Sequence, residues 1–395
     1  MHNGAGTLIA ARRPVIAGLG ITETGRVYGR SAEDFAAAAV RLAVADAGLD
    51  LPDVDGLLTN TGLAGRVGLG LQRRLQLRDL RVLSEIQSYG ASAGAMVSYA
   101  AMAVRAGMAD AVVCVFADAP LREGLGSSSA YSRPRPAVGF DGQSRHAGLT
   151  SVSARYALAA RRHMAAYGTT SEHLGAIAVA QRAWAAGNPL AQMREPITLA
   201  DHQASRWIAE PLRLLDCCLV SNGGVAVLVT SAERAAHLPQ PPVHILGWAQ
   251  SHPGYPDAGE SSFGLESGAV RSGPAALKMA GVGLRDVTVA ELYDCYTFTV
   301  LLSLEDYGFC AKGEGGPFAA SGALAPSGSL AFNTGGGQLS SYYMWGMTPL
   351  SEAVIQARGQ GGERQAPRND VILVSGNGGI LDHHSTLVLS PYARG

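Results

Sequence analysis

The chain has 395 residues, of which 47% are hydrophobic and 16% are charged, and its formal net charge is −1. A chain of this length and composition can bury a large core, which predicts a globular protein with two domains or one duplicated domain. The near-neutral charge gives no electrostatic attraction to nucleic acid or to a membrane surface, so neither is an expected partner.

The sequence also lacks the patterns of a membrane or secreted protein. No stretch reaches the roughly 18 apolar residues that a membrane span needs, and residues 1–13 lack the apolar run of a secretory signal. We therefore expect a cytoplasmic protein without a membrane span. The five cysteines lack paired Cys-x-x-Cys spacing, so neither a disulfide framework nor a metal site is indicated.

The first part of the chain alternates short apolar runs, typical of buried strands, with longer helical patterns. The predicted strands are 15–20, 54–59 and 111–116. The predicted helices are 31–47, 91–106 and, more weakly, 63–78. Ser31 is the expected N-cap of the first helix. This alternation of strand and helix predicts a parallel β-sheet.

The composition changes after residue 118 to connections rich in Gly, Ser, Pro and Arg, with helical patterns near 152–167 and 171–184. This segment, 119–206, is interpreted as an inserted loop domain. The chain returns to strand-like sequence before a proline-rich link at 238–242. The predicted division is an N-terminal half at 1–118 and 207–240, the inserted domain at 119–206, and a C-terminal half at 241–395.

The second half repeats the order of the first. Residues 47–58 and 280–292 each read as a helix end, a turn and a strand. The helix before strand 111–116 has a counterpart at 349–357, before a strand at 370–374. Two similar halves predict a pseudo-twofold α/β molecule with a layered core. Its active site is expected between the halves, where loops from both converge.

The stretch 333–350 contains three successive glycines followed by Tyr342 and Tyr343. Glycines allow close approach of the backbone to a ligand or to another strand. The stretch is consistent with a loop that holds phenols over a substrate and equally with a tight turn whose tyrosines belong to the core. Both interpretations remain open from this stretch alone.

The segments 196–218, 292–313 and 333–346 carry a resemblance to a known family. Over nearly its whole length the chain resembles the thiolase superfamily, in the branch near the sterol carrier protein x thiolases and the steroid side-chain aldolases, also called lipid-transfer proteins. The resemblance implies an α/β thiolase fold, with two similar βαβ-rich halves in a five-layered αβαβα arrangement and an inserted loop domain.

The resemblance also shows which thiolase side chains are missing. When Ser92 is placed on the family's Cys-x-Ser-Gly helix start, Gly90 stands where the nucleophilic cysteine belongs. The loop of the second cysteine reads Gly-Asn-Gly-Gly at 376–379. The histidine of the family's Gly-His-Pro loop falls on Tyr343. The asparagine or histidine of the family's other active-site loop falls on Tyr293. All four classical side chains are therefore replaced, two by glycine and two by tyrosine.

The resemblance to the aldolases implies that Tyr293 and Tyr343 are catalytic, with Tyr343 accepting a hydroxyl proton and Tyr293 donating one, or the reverse. It places oxyanion and thioester binding at the backbone N–H groups of Gly90 and Gly378, where glycine should leave space for the thioester. Possible substrate contacts are His383, His384 and Asp294. Tyr342 and His202 are interpreted as structural.

These residues predict retro-aldol cleavage of a β-hydroxyacyl-CoA. In the resembling family the substrate is a 17-hydroxy steroid with a short CoA-thioester side chain, and the products are a 17-keto steroid and propionyl-CoA. No metal or redox cofactor is implied. The resemblance further implies a homodimer bound to a separate, smaller partner with an OB-fold and a zinc ribbon.

Two other functions remain open from the sequence. One is a thiolase-like acyltransferase or condensing enzyme with an unconventional nucleophile, such as Ser88 or Ser92, although no histidine is adjacent in sequence to activate either hydroxyl. The other is a non-catalytic pseudo-thiolase that binds acyl-CoA or lipid.

Overall fold

The computed structural model describes residues 12–131, 139–253 and 262–393. The strands are β1 Pro14–Ile21, β2 Gly56–Thr61, β3 Val82–Glu85, β4 Ala111–Asp118, β5 Trp207–Ala209, β6 Leu212–Arg213, β7 Gly223–Ser231, β8 Val243–Ser251, β9 Val289–Glu291, β10 Ala331–Phe332, β11 Ile372–Gly378 and β12 His383–Ser390. The helices are α1 Ala32–Asp46, α2 Leu71–Leu75, α3 Ser92–Arg105, α4 Gly139–His146, α5 Val152–Tyr167, α6 Ser171–Ala186, α7 Leu199–Ala204, α8 Ala232–Ala235, α9 Ala269–Ala280, α10 Thr297–Tyr307, α11 Gly315–Ala320, α12 Gly337–Ser340 and α13 Met347–Ala357.

Two five-stranded halves share one topology. The order is β3-β2-β4-β7-β1 in the first half and β10-β9-β11-β12-β8 in the second. In each half three strands pair in parallel, the fourth strand (β7 or β12) pairs antiparallel with the third, and the fifth (β1 or β8) pairs antiparallel with the fourth. Two residue pairs between β1 and β8 connect the halves. The predicted repeat of strand and helix order is therefore confirmed in three dimensions.

The helices form three layers around these two half-sheets. Helix α3 packs against β4 and β7 of the first half and against β11 and β12 of the second, and α13 also contacts strands of both halves. Helix α1 covers β1, β4 and β7, while α9 covers β8 and β12. This packing confirms the predicted five-layered αβαβα arrangement. The layers follow one another as α1, the first half-sheet, α3 with α13, the second half-sheet and α9.

The local sequence explains these layers. Ser31 caps α1 as predicted, because its Oγ accepts the N–H of Asp34 and the Asp34 carboxylate accepts the N–H of Ser31. Glycines in β1 let α1 approach closely, since a β-carbon placed on Gly18 would lie 2.1 Å from the carbonyl oxygen of Ala43. Helix α3 is buried on almost every side, which its apolar sequence requires in a central layer.

The predicted helix over 63–78 is wrong for most of its length, since only α2 is helical there. The segment before it is a loop held by Asp118, whose carboxylate accepts the N–H groups of Leu63, Ala64 and Gly65. These long-range hydrogen bonds to the end of β4 outweigh the weak local helical pattern.

Between β4 and β7 the chain forms α5 and α6, both near their predicted positions. Helix α6 packs against α10, α11 and α12, which places the inserted segment beside the loops of the second half. The domain boundaries at residues 118, 206 and 240 stay predictions. Within 12–131, 139–253 and 262–393, none of the helices combines the length and the apolar character needed to cross a bilayer.

Gly18→Ala should lower the free energy of unfolding by about 1–3 kcal/mol, because the added methyl group overpacks the contact between β1 and α1. Gly70→Ala is the matched control, since Gly70 has a φ of −60° and a β-carbon placed on it would have no neighbouring atom within 4 Å. Denaturant unfolding of both variants measures the difference. Equal midpoints for the two variants would contradict the close contact.

Candidate active site

The structure brings the two predicted tyrosines together. Tyr293 follows β9 and is buried, with 3% of its surface exposed, whereas Tyr343 follows α12 and is half-buried. Burial raises the pKa of Tyr293 well above its ordinary value, the thiols of Cys295 and Cys218 raise it further, and a side-chain hydrogen bond with Tyr343 lowers it. The two phenols are therefore close neighbours.

Both phenols are protonated at neutral pH. Burial also raises the pKa of Tyr343 well above its ordinary value, and the neighbouring Tyr293 and Cys218 add to this effect. Removal from water stabilises the neutral form of each ring over the phenolate, and for Tyr293 the neighbouring Asp294 carboxylate acts in the same direction. The pair is suited to sharing and relaying protons, not to holding a preformed phenolate.

The position of the missing nucleophile is filled by the Tyr293 ring. A β-carbon placed on Gly90 would lie 2.2 Å from Cζ of Tyr293 and 2.2 Å from the carbonyl oxygen of Asn377. Our expectation that glycine leaves space for the thioester at this point is wrong, because the phenol occupies that space. A side chain at residue 90 would therefore clash with the Tyr293 ring in its present position.

The second glycine loop packs against the first. A β-carbon on Gly378 would lie 2.2 Å from the carbonyl oxygen of Ser88 and 2.9 Å from the nitrogen of Gly90. The two glycines predicted to bind the oxyanion are thus neighbours at the start of α3. Asn377, the residue before Gly378, is buried. Neither the nitrogen nor the oxygen of its side-chain amide has a hydrogen-bond partner among the described residues. Unpartnered polar atoms are expected where a polar ligand binds.

Asp294 is not a substrate contact, which corrects that prediction. Its side chain is completely buried, and its carboxylate accepts hydrogen bonds from the N–H groups of Gln338 and Leu339 and from the amide of Gln181. These donors occupy both carboxylate oxygens. The residue lies beneath the two tyrosine loops and faces the protein interior.

His384 is also wrongly predicted as a substrate contact. It is fully buried, its Nε2 lies 3.0 Å from the hydroxyl of Tyr307 and 3.2 Å from that of Ser375, and burial lowers its pKa to about 3. The next residue, Ser385, faces α3, because its Oγ would lie 2.4 Å from a β-carbon on Gly94. Side chains alternate along a strand, so His384 points to the other face of β12.

His383 lies at the rim of the glycine loop. It is half-buried, its ring stacks on Tyr89 with 6.3 Å between centroids, and its Nδ1 lies 3.0 Å from Nδ1 of His252. Burial and the nearby His252 lower the pKa of His383. Its predicted contact with substrate stays a prediction.

The predicted structural roles of Tyr342 and His202 are confirmed. The hydroxyl of Tyr342 lies 2.6 Å from the hydroxyl of Ser351 in a buried pair. Nε2 of His202 lies 2.8 Å from the carboxylate of Asp216, also fully buried.

Neither serine near Gly90 has a base to activate it. Ser92 Oγ accepts the N–H of Ser88 at 2.8 Å, and Ser88 Oγ has no hydrogen-bond partner among the described residues. A serine nucleophile needs a neighbouring group that removes its proton. The arrangement therefore gives no support to acyl transfer through either hydroxyl.

One segment that joins the tyrosine loops was missed by sequence reasoning. In the segment 217–222, Cys218 donates its N–H to the carbonyl of Cys295 at 3.0 Å, and Ser221 Oγ accepts the N–H of Tyr343, also at 3.0 Å. The thiol of Cys218 raises the pKa of both phenols, so it lies beside both. No local pattern marks this placement, because it depends on pairing with residues far along the chain.

Comparisons with known proteins agree with this geometry. Residues 250–391 match the family model "Thiolase C-terminal domain-like". The chain is 40% identical over 384 residues to a "Steroid side-chain-cleaving aldolase" of Thermomonospora curvata, covering 92% of this chain and 95% of the relative. It is 41% identical over 374 residues to a "17-hydroxy-3-oxo-4-pregnene-20-carboxyl-CoA lyase" of Mycobacterium tuberculosis, covering 92% of this chain and 96% of the relative.

A solved structure is also similar to this chain over almost the whole length of both. The "Ltp2-ChsH2(DUF35) aldolase" superposes with a TM-score of 0.86 at 39% identity, covering 97% of this chain and 98% of that one.

Gly90→Ala should destabilise the protein by about 1–3 kcal/mol, because the methyl group cannot fit against Tyr293 without displacing the ring or the glycine loop. Ser88→Ala is the control, since its hydroxyl has no partner to lose among the described residues. Denaturant unfolding and a crystal structure of Gly90→Ala test this expectation. An unchanged Tyr293 ring in a fully stable Gly90→Ala variant would show that the contact imposes no constraint.

Proposed function

This chain belongs to the steroid side-chain-cleaving aldolases, a family with the thiolase fold, and we propose that Tyr293 and Tyr343 catalyse its retro-aldol reaction. As a carbon–carbon lyase it acts on a CoA thioester. We propose as substrate a 17-hydroxy steroid with a short CoA-thioester side chain, cleaved to a 17-keto steroid and propionyl-CoA in steroid side-chain degradation.

The observation that carries this proposal is the pair of neighbouring phenols beside a glycine at the nucleophile position. The Tyr293 ring fills the place of a cysteine side chain at residue 90. Without a nucleophile the site cannot hold an acyl group covalently. Two phenols can still move the two protons that cleavage of a β-hydroxyacyl-CoA requires.

In the proposed reaction, Tyr343 accepts the proton of the β-hydroxyl and at the same time passes its own phenolic proton to Tyr293, as the bond between the carbinol carbon and the α-carbon breaks. The hydroxyl becomes the ketone, and the bonding electrons pass into the thioester as an enolate. Tyr293 gives its proton to the α-carbon, which yields the saturated acyl-CoA. Because Tyr293 receives the proton of Tyr343 as it gives up its own, both residues remain neutral phenols, and no proton is gained or lost overall.

The raised pKa of each phenol favours this relay. A phenolate at pH 7 costs about 4 kcal/mol when the pKa of tyrosine is about 10, and burial increases that cost. A proton shared between phenol and hydroxyl in the transition state avoids the full charge. We propose that the N–H groups of Gly90 and Gly378 bind the enolate oxygen, near the start of α3, where the helix dipole favours negative charge.

The proposed chemistry transfers protons and breaks one carbon–carbon bond, so it requires neither an electron acceptor nor a metal. We therefore propose that the CoA thioester is the substrate and that the reaction uses no further cofactor.

We also propose that the chain works as a homodimer with a smaller partner of the OB-fold and zinc-ribbon type. The similar solved structure is named as an aldolase together with ChsH2(DUF35). A second copy has a place to bind, since β3 forms one edge of the sheet and pairs only with β2 among the strands described.

The test is incubation of the chain, with and without its partner, with a 17-hydroxy steroid CoA thioester. We expect free propionyl-CoA and a 17-ketone. Tyr343→Phe and Tyr293→Phe should each lower kcat by about 10²–10⁴-fold, because each variant removes one proton carrier. Tyr342→Phe is the matched control: its hydroxyl bonds Ser351 away from the pair, so its kcat should stay near that of the wild type.

Other outcomes identify other functions. A stable acyl adduct seen by mass spectrometry after incubation with acyl-CoA would indicate an acyltransferase with an unconventional nucleophile. Tight binding of acyl-CoA without any cleavage, in the presence of the partner, would indicate a pseudo-thiolase.

A further inference from the structure

A buried carboxylate connects the two tyrosine loops. Asp294 directly follows Tyr293 in sequence. Its Oδ2 accepts the N–H of Gln338 at 2.8 Å and the N–H of Leu339 at 3.1 Å, both in α12. Helix α12 ends shortly before Tyr343. The carboxylate therefore joins the loop of one phenol to the helix that leads into the other.

Side-chain donors complete this cluster. Nε2 of Gln181, in α6, lies 2.6 Å from Oδ2 of Asp294, and Nε2 of Gln338 lies 3.2 Å from Oδ1. All partners of the carboxylate among the described residues are N–H donors, so the cluster is built for the ionised form. The side-chain oxygens of Gln181 and Gln338 are buried and have no partner in the described part of the chain.

The backbone of α12 is shaped to fit this carboxylate. Gly337 has a φ of +59°, and a β-carbon there would lie 2.1 Å from Oδ2 of Asp294. Only glycine allows both this conformation and this approach. On its other side α12 is fixed by the carbonyl of Gln338, which accepts the N–H of Leu219, and by Ser340, whose hydroxyl accepts Nε of Arg182 at 3.0 Å.

We propose that Asp294 is a positioning residue for the aldolase reaction, holding Tyr293 and Tyr343 close to each other through its hydrogen bonds to α12. This inference rests on the proposed function of the two phenols. Asp294 itself is buried under the loops and touches no substrate. Its effect on catalysis arises because a proton relay fails when the two hydroxyl groups move apart.

Protonation of Asp294 would weaken the clamp. A protonated oxygen would face only donors, unless the amide of Gln181 or Gln338 rotates to present its unpartnered oxygen. Such a rotation would replace an N–H donor that now binds the carboxylate with an amide oxygen. Burial raises the pKa of Asp294 to about 6, although the bonds from Gln338 and Gln181 oppose this shift. The clamp is therefore complete above about pH 6 and is lost as the pH falls below it.

The other titratable groups around Asp294 are uncharged near neutral pH or lie on its own loop. They are Glu291 on β9, Tyr293 and Cys295 beside it, and Cys218 on the segment 217–222. Burial, and then the neighbouring Glu352, raise the pKa of Glu291 well above its ordinary value. Helices α6 and α12 present uncharged amides.

The first test compares Asp294→Asn with Asp118→Asn. Asp294→Asn should lower kcat by about 100-fold with KM changed less than about threefold, because it misplaces the phenols without removing a substrate contact. Asp118→Asn is matched, since Asp118 is a buried carboxylate that accepts backbone N–H groups from another loop and burial also raises its pKa. The Asp118→Asn variant should leave kcat unchanged.

The pH profile separates positioning from a purely structural role. Wild-type kcat should fall as the pH decreases through about 6, and this acid limb should be absent from Asp294→Asn. Gln181→Met, which removes one donor that lowers the pKa of Asp294, should move the limb to higher pH. His383, whose pKa is lowered by burial and by His252, is a second titratable group near the site, so the loss of the limb in Asp294→Asn is the decisive comparison.

A second readout does not depend on turnover. With 3-fluorotyrosine at position 343, the ¹⁹F shift should change with a midpoint near pH 6 in the wild-type background and in Asp118→Asn, and stay constant in Asp294→Asn. If this titration occurs but no β-hydroxyacyl-CoA is cleaved, the clamp is correct and the proposed function is wrong.

If cleavage occurs and Asp294→Asn keeps both kcat and the acid limb, the clamp is refuted while the function stands. Should Asp294→Asn fail to fold, the wild-type ¹⁹F titration and the shift of the limb in Gln181→Met decide the question. The absence of either effect would overturn the proposal.

Discussion

The contact between the Tyr293 ring and the backbone of Gly90 is the constraint on which the site depends. It leaves no volume for a side chain at the start of α3, and it fixes one phenol directly beside the place where a thiolase carries its acyl group. Gly378 approaches the same backbone from β11, so closely that a β-carbon placed on it would lie 2.9 Å from the Gly90 nitrogen. Glycine at these positions serves close packing of loop on loop, and the proposed catalytic groups are the phenols around them.

Burial then sets the chemistry of those phenols. Removal from water raises the pKa of Tyr293 and of Tyr343, and the described residues supply no cation beside them that would stabilise a phenolate. Two neighbouring neutral hydroxyl groups can pass a proton in either direction at little cost in charge separation. An acyl transfer needs a strong nucleophile, whereas a retro-aldol cleavage needs two coordinated proton movements, and the site provides the second.

The sequence predicted the architecture and the tyrosine pair but not the supporting residues. Alternating apolar runs determine which segments are strands and helices, and the repeated order determines the layers. The elements and their layering could therefore be predicted from the sequence. Asp294 and His384 were misjudged because proximity in sequence to a site does not show which face of a strand or loop a side chain occupies. The segment around Cys218 and the loop held by Asp118 depend on hydrogen bonds between distant residues, for which no local pattern exists.

The duplicated fold explains why these loops meet. Helices α3 and α13 are counterparts in the two halves, and they share the central layer. Their starts also meet, since a β-carbon on Gly346, the residue before α13, would lie 2.4 Å from the carbonyl oxygen of Gly90. Tyr343 precedes one helix start and Gly90 lies just before the other. The proposed site at this junction would draw its backbone donors from both halves and its phenols from one, so a change of side chains there can change the chemistry while the layers remain intact.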